Sequence, residues 1–173
     1  NVNPWSIAGG SGAMYFVGHF DGRTFTPDRV APAGSDPAQF HWVDHGADFY
    51  AAGTFSGAPG SRPVAIAWMS NWDYAAKVPT APWRGAMTLP RELSLKTIDG
   101  EPTLVVAPAA AFDAWADGRP AVHEGDLTVD SATRALSPAT RGAVQRITVT
   151  LEPRHAARAG LIVRRSADGS VGT

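Results

Sequence analysis

Turn-forming residues recur so often in this chain that they leave room for short strands but not for long helices. Glycine contributes 18 and proline 14 of the 173 residues, and four Asp-Gly pairs are candidate hairpin turns because both residue types tolerate positive φ. Only residues 109–116 have a pattern that allows a short helix, which Gly118 would end. Seven apolar segments of strand length lie among the turn signals, at 13–20, 48–55, 63–70, 92–98, 103–107, 145–151 and 160–165. The sequence therefore predicts an all-β chain, of the kind that forms propeller blades or sandwiches.

The charge balance argues against two classes of partner. The chain has 15 Lys and Arg against 16 Asp and Glu, so its net charge of −1 gives no basic surface for a nucleic-acid backbone or an anionic membrane. No apolar run approaches the roughly 20 residues that span a bilayer. The chain has no cysteine, which rules out disulfides and thiolate metal ligands. We therefore expect a globular protein without a nucleic-acid or membrane partner.

A glycine-rich segment and two histidines raise the question of a cofactor or a metal. Residues 9–12 read Gly-Gly-Ser-Gly, but they lack the Lys-Ser/Thr ending of a phosphate-binding loop. His41 and His45 have the spacing of two ligands on one face of a helix, whereas their segment is β-like and continues into Gly46. The sequence predicts no cofactor and no metal.

Aromatic residues are concentrated in the first half of the chain. Of the 16 aromatic side chains, 14 lie within residues 1–92. The second half instead alternates Val, Leu, Ile and Thr with polar residues, as half-buried strands do. This change in composition places a module boundary near residues 92–105.

The residues best suited to contact a ligand lie at the end of the predicted strand at 63–70, where an amide stands between two indoles. Trp68, Asn71 and Trp72 form this group. Aromatic faces suit the C–H faces of a sugar ring, and an amide can bond to its hydroxyls. Large aromatic residues also fill cores, so the residues alone leave both interpretations open.

Three carboxylates, Asp44, Asp48 and Asp73, lie near this group in the sequence. A retaining glycosidase uses two carboxylates about 5 Å apart, and these usually come from separate parts of the chain. Asp is equally common in turns and at strand ends, where it bonds to backbone N–H groups. Spacing in the sequence does not decide between these roles.

Characteristic motifs follow one another in order over about 90 residues. They are Gly-Gly-Ser-Gly at 9–12 with Tyr-Phe-Val-Gly-His-Phe-Asp-Gly at 15–22, Trp-Val-Asp-His-Gly-Ala-Asp-Phe-Tyr-Ala-Ala at 42–52, Trp-Met-Ser-Asn-Trp-Asp-Tyr at 68–74, Val-Pro-Thr at 78–80, and Trp-Arg-Gly-Ala-Met-Thr-Leu-Pro-Arg-Glu-Leu at 83–93. This series resembles glycoside hydrolase family 32, the levanases, inulinases and invertases.

The resemblance implies a fold of two modules. In this family a five-bladed β-propeller carries the active site, and a β-sandwich packs beside it. Residues 1–92 would be the last, C-terminal blades of the propeller, and residues 93–173 would be a linker and the first strands of a truncated C-terminal sandwich. The missing N-terminal blades of the same chain would then be a structural partner, since a propeller leaves unpaired edges until it is complete.

The resemblance also implies a retaining glycosidase that releases fructose from levan, inulin or sucrose. In such an enzyme a carboxylate attacks the anomeric carbon, and a Glu protonates the leaving oxygen and later activates water. The family's catalytic residues lie in Asn-Asp-Pro-Asn, Arg-Asp-Pro and Glu-Cys motifs, and this sequence contains none of the three. No catalytic residue is therefore assigned, and we expect the chain alone to be inactive.

The resemblance implies a carbohydrate partner and a set of substrate-binding residues, namely Trp68, Asn71, Trp72 and Asp44. Trp83, Arg84 and Arg91 would be structural, with an arginine paired to a carboxylate such as Glu92 or to strand-end carbonyls. Secretion is implied by the family alone. The alternatives are a non-catalytic carbohydrate-binding β-domain and a structural β-domain, and neither the preferred fructoside nor endo or exo action follows from the sequence.

Overall fold

The computed structural model describes residues 1–119, 121–130, 133–136 and 144–163. The chain folds as two compact units, Asn1–Gly118 and Arg119–Thr173. The regular secondary structure of the described residues lies in the first unit and consists of seven β-strands, one short α-helix and three short 3-10 segments. The predicted all-β class is therefore confirmed. Among the described residues, no helix is long and apolar enough to cross a membrane.

An antiparallel hairpin near the N-terminus is formed by β1, Gly18–Phe20, and β2, Phe25–Pro27. The predicted Asp21-Gly22 pair forms the first half of the four-residue turn at 21–24, where the Asp21 carboxylate accepts hydrogen bonds from the N–H groups of Arg23 and Thr24 at 2.8 and 2.7 Å. These bonds hold the pKa of Asp21 below its ordinary value. The strand predicted at 13–20 is shorter than expected, because only its last three residues have a partner strand.

The main sheet has five antiparallel strands in the order β3-β4-β6-β7, with β5 also paired to β4. The strands are β3 Tyr50–Phe55, β4 Val64–Met69, β5 Ala86–Met87, β6 Arg91–Ile98 and β7 Glu101–Pro108. The predicted Asp99-Gly100 turn joins β6 to β7, and its two residues have φ values of 51° and 83°, as a two-residue hairpin turn requires. This sheet confirms the strands predicted at 48–55, 63–70, 92–98 and 103–107.

The short helix predicted at 109–116 is confirmed as α1, Ala111–Asp117, and Gly118 follows it. The Asp117-Gly118 pair therefore ends a helix, and its prediction as a hairpin turn was wrong because no strand precedes it. The remaining Asp-Gly pair, at 168–169, lies outside the described residues.

The strand predicted at 145–151 is not formed, and the strand predicted at 160–165 lies only partly within the described residues. Residues 145–151 and 160–163 carry no strand, and residues 164–165 lie outside the described part of the chain. Alternating apolar and polar residues prepare one face for burial, but a strand also needs a neighbour that exchanges backbone hydrogen bonds with it. Within the described residues of the second unit no strand stands beside these segments.

The predicted boundary between residues 92 and 93 falls within β6, whose first two residues pair with β4. The first compact unit continues from there to Gly118. The assignment of residues 1–92 to propeller blades and of residues 93–173 to a linker and sandwich stays a prediction.

A small buried core lies where β3 and β4 meet the preceding loop. Its buried members are Ala13, Phe49 and Ala67, and Val43 and Ala52 pack against them. Phe49 is only 1% exposed and directly precedes β3. Burial of this ring fixes the C-terminal end of the loop at 44–48, which carries one of the predicted site residues.

Candidate functional site

Three aromatic rings meet at the end of β4, and we call Tyr50, Trp68 and Trp72 the aromatic cluster. The register of the sheet places Trp68 opposite Tyr50 on β3 and opposite Met87 on β5. The ring centroids of Trp68 and Tyr50 are 6.3 Å apart, and those of Trp68 and Trp72 are 4.9 Å apart at an interplanar angle of 59°. Trp72 is 61% exposed, whereas Trp68 is half-buried. Two predicted binding residues are thus in contact, and one of them presents an open face.

Trp68 also lines an open cleft of about 330 Å³. The other lining residues are Trp83, Arg84, Gly85, Ala86 and Met87. Gly85 has a φ of 77°, and a Cβ atom at this position would lie 2.7 Å from Nε1 of Trp68. Glycine therefore lets the edge of the indole approach the backbone of the cleft wall. Largely apolar walls with a few polar groups are typical of ligand pockets.

The loop that forms the cleft wall is fixed by Arg84. Its guanidinium donates hydrogen bonds to the backbone carbonyls of Val78 and Thr80 at 3.0 and 2.8 Å. This agrees with the structural role expected for Arg84. Trp83, for which a structural role was also expected, is instead 64% exposed and lines the cleft.

Asn71, a predicted binding residue, is 2% exposed and uses its whole amide inside the chain. Its Oδ1 accepts from the N–H groups of Ser11 and Asp73, both at 3.1 Å. Its Nδ2 donates to the carbonyls of Gly9 and Ala47 at 3.2 and 2.9 Å. An amide offers two acceptor positions and two donors, so Asn71 has none left for a ligand in this conformation.

The glycine-rich segment at 9–12 packs against Asn71. A Cβ atom on Gly10 would lie 2.2 Å from Oδ1 of Asn71, so only glycine fits there. Ser11 is fully buried, and its hydroxyl accepts from the N–H of Trp72 and donates to Oδ1 of Asn3, both at 3.1 Å. The segment therefore supports the backbone of the aromatic cluster.

Asp44 is held by an arginine and a backbone N–H. Its Oδ2 accepts from Nη1 of Arg91, and its Oδ1 accepts from the N–H of Gly46 at 2.6 Å. Burial pushes the pKa of Asp44 upward, but the bonds from Arg91 and Gly46 outweigh it, so the pKa lies below its ordinary value. Asp44 is thus a partly exposed, ionised carboxylate.

An arginine among Arg84 and Arg91 was expected to pair with a carboxylate such as Glu92 or with strand-end carbonyls, and the partner of Arg91 is the carboxylate of Asp44. Its guanidinium carbon also lies 4.6 Å from the centroid of the buried Phe49 ring, which is a cation–π contact. Glu92 pairs with Arg62 at 2.8 Å. Adjacent strand residues point to opposite faces of the sheet, which explains why Arg91 and Glu92 have different partners.

Asp48 has a separate partner in Tyr74, whose hydroxyl donates to Oδ1 of Asp48. Burial, together with this acceptor and its negative charge, raises the pKa of Tyr74 to about 12. Asp44 and Asp48 therefore each pair with a side chain of this chain, Asp44 with Arg91 and Asp48 with Tyr74. Among the described residues, no group of three or more His, Asp or Glu side chains could hold a metal ion.

Sequence reasoning missed the supporting roles of Gly10, Ser11 and Tyr74, and it did not identify Asp44 as the partner of Arg91. The available signal was the Gly-Gly-Ser-Gly run, since glycines outside a phosphate-binding context often mark a close approach of two backbones. The pairing partners carried no comparable signal, because they lie far apart in the sequence.

Comparison with known proteins assigns the chain to a family. The family described as glycosyl hydrolases family 32, N-terminal domain, matches residues 1–108. The chain belongs to glycoside hydrolase family 32. The resemblance carried by the motifs is thereby confirmed.

Two curated relatives are similar over about two thirds of this chain. The extracellular exo-inulinase of Aspergillus awamori is 47% identical over 123 residues, which are 69% of this chain and 22% of the enzyme. The levanase of Bacillus subtilis (strain 168) is 42% identical over 115 residues, which are 65% of this chain and 16% of the enzyme. The chain thus spans about a fifth of the length of these relatives.

Two solved structures share the fold of about two thirds of this chain. The crystal structure of the Aspergillus awamori exo-inulinase matches with a TM-score of 0.58 at 46% identity, covering 65% of this chain and 22% of that one. Fructofuranosidase from Schwanniomyces occidentalis, solved in complex with fructose, matches with a TM-score of 0.52 at 41% identity, covering 62% of this chain and 20% of that one.

Proposed function

We propose that this chain is part of a secreted retaining glycosidase that releases fructose from β-fructosides such as levan, inulin or sucrose. Membership of family 32 supports the hydrolase class, and the names of the relatives, extracellular exo-inulinase and levanase, support a fructan substrate and secretion. On this proposal residues 1–92 are the last blades of a five-bladed propeller, and residues 93–173 lead into a β-sandwich.

The observation that carries the proposal is the half-buried Trp68 on the wall of an open cleft, in contact with the exposed Trp72. Indole faces suit the C–H faces of a fructosyl ring, and their apolar surface is buried when a sugar binds. Asp44 adds an ionised acceptor for sugar hydroxyls. Asn71 completes the proposed binding set, and its bonding within the chain favours an indirect contribution.

We infer that the catalytic carboxylates belong to other segments of the protein. The family motifs that carry the nucleophile, the transition-state stabiliser and the acid/base are absent from this sequence. Two carboxylates on opposite sides of the scissile bond are needed for hydrolysis with retention. The 173-residue chain alone should therefore bind fructans at most, without cleaving them.

Expression of the chain alone and within its full reading frame tests this proposal. Fructose release from sucrose, inulin and levan is measured for both products, with Trp68→Ala in the longer product as the variant and Lys96→Ala, on the exposed part of β6, as the control. We expect activity only in the longer product, a higher KM for Trp68→Ala and no change for Lys96→Ala. Hydrolysis by the 173-residue chain would refute our placement of the catalytic groups.

The alternative, a non-catalytic carbohydrate-binding β-domain, makes a different prediction. The exposed Trp72 and Trp83 are the observation that favours it, because exposed indoles are common in sugar-binding surfaces. Calorimetric titration with inulin would then show binding, while no product of the reading frame releases fructose.

A further inference from the structure

Asn71 joins three segments that are distant in the sequence. Its amide bonds to Gly9 and Ser11 in the glycine-rich segment, to Ala47 in the loop that follows Asp44, and to the N–H of Asp73 beside its own position. We propose that Asn71 is a positioning residue that sets the geometry of the Trp68–Trp72 pair and does not itself contact sugar. The consequence for sugar binding rests on the proposed function; the effect on the indole pair does not.

The position of the exposed Trp72 indole depends on how its backbone is held. The indole packs against Trp68 but is otherwise largely exposed, at 61%, so the geometry of the pair depends on where the peptide of Trp72 is held. The N–H of Trp72 donates to the hydroxyl of Ser11, and the N–H of Ser11 donates to Asn71. The next N–H along the chain, that of Asp73, also donates to Asn71. The peptides on both sides of the Trp72 side chain are therefore fixed by this one network.

Steric fit independently shows that the network is tightly built. A Cβ atom on Gly10 would meet Oδ1 of Asn71 at 2.2 Å and Oδ2 of Asp73 at 2.6 Å. The amide cannot move toward the glycine-rich segment, and its four hydrogen bonds prevent it from turning. A buried, fully bonded polar group of this kind favours one conformation over others.

The test compares Asn71→Asp with Ser70→Ala in the full reading-frame product. Aspartate keeps the shape and the acceptors of asparagine but cannot donate to the carbonyls of Gly9 and Ala47, and its charge faces both oxygens. Ser70 is adjacent and as deeply buried, and in the described part of the chain its hydroxyl has no hydrogen-bond partner, so its removal is a matched control.

Two readouts are needed. The first is the part of the far-ultraviolet circular dichroism couplet that Trp72→Phe removes, which separates the Trp68–Trp72 pair from the Trp5–Trp42 pair. This signal depends on the separation and angle of the two indoles and needs no activity. The second is the division between KM and kcat for inulin. We expect Asn71→Asp to weaken the couplet and to raise KM about tenfold, equivalent to about 1.4 kcal/mol, with a smaller change in kcat. Ser70→Ala should leave both readouts unchanged.

An Asn71→Asp protein with an intact couplet would overturn the proposal: with unchanged KM the residue positions nothing, and with raised KM it contacts the sugar directly. If Asn71→Asp fails to fold, Ser11→Ala replaces it, since this variant keeps the Asn71 amide and removes the hydroxyl that accepts from the N–H of Trp72 and donates to Oδ1 of Asn3. If the wild-type product releases no fructose, the proposed function fails, while the couplet still decides the positioning role.

Discussion

Replacing either of two neighbouring glycines with alanine separates backbone strain from a steric clash at Asn71. Gly9 and Gly10 have φ values of 83° and 61°, so alanine is unfavourable at both positions. A Cβ atom on Gly9 meets nothing within 4 Å, whereas one on Gly10 lies 2.2 Å from Oδ1 of Asn71. Gly9→Ala is thus the matched control for Gly10→Ala.

The expected magnitudes follow from these contacts. The left-handed conformation costs an alanine about 1–2 kcal/mol, which both variants share. Gly10→Ala adds about 1–3 kcal/mol for overpacking, and more if Asn71 moves and leaves buried N–H groups without an acceptor. We therefore expect Gly10→Ala to lower the free energy of unfolding by about 2 kcal/mol more than Gly9→Ala does.

Urea unfolding followed by tryptophan fluorescence measures this difference. All six tryptophans lie within the first compact unit, so the signal reports the part of the chain that contains both glycines. Combining Gly10→Ala with Asn71→Ala should recover much of the extra cost, because the amide is then gone and the remaining contact, with Oδ2 of Asp73 at 2.6 Å, involves an exposed side chain that can move away. Equal losses for the two single variants, or no coupling to Asn71, would refute the steric argument.

Three further outcomes are expected from the ion pairs and the sheet. Arg91→Met should raise the pKa of Asp44, because the hydrogen bond and charge of Arg91 no longer oppose the effect of burial. Ionised Asp44 adds stability above its ordinary pKa, and this stability is lost as pH falls through the lowered pKa of the folded state; the variant should have less of it. Carboxyl-carbon NMR titration measures the pKa, and an unchanged value would contradict the prediction. Asp48→Asn should lower the pKa of Tyr74 from about 12 toward 10.0 in an absorbance titration, and it should remove part of the stability that is present below pH 10 and lost as pH rises through about 12. Thr88→Val should lower the free energy of unfolding in urea by about 1–3 kcal/mol, because the buried N–H of Ala67 in β4 loses its hydroxyl acceptor at 3.0 Å. Thr88→Ser keeps this hydrogen bond and should lower the free energy of unfolding less. Equal losses for the two variants would argue against the bond.

Local turn chemistry made much of the first unit predictable. The Asp21-Gly22 and Asp99-Gly100 pairs are hairpin turns as expected, because the conformations they need are available to these residue types wherever they occur. The strands at 50–55 and 64–69 were predictable from their apolar, β-branched and aromatic residues. The strand predicted at 145–151 is not formed, and among the described residues of the second unit no strand lies beside this segment.

The partners of the site residues were not predictable in this way. Asn71 bonds to Ser11, 60 positions away, and Arg91 bonds to Asp44, 47 positions away. Neither contact follows from the periodicity of a helix or strand, so no sequence pattern could reveal it. A carboxylate such as Glu92 or a strand-end carbonyl was expected as the partner of an arginine here. The strand directs the side chains of Arg91 and Glu92 to opposite faces, where they pair with Asp44 and Arg62.

The sequence by itself therefore determined the strands that its turns delimit and, through its ordered motifs, membership of family 32. Only the tertiary structure decided that the Asn71 amide makes four hydrogen bonds within the chain, that Asp44 pairs with Arg91, and that Trp72 is exposed. The physical reason is that a turn depends on the φ preferences of two adjacent residues. A buried hydrogen bond depends on which distant segments folding brings within 3 Å of each other.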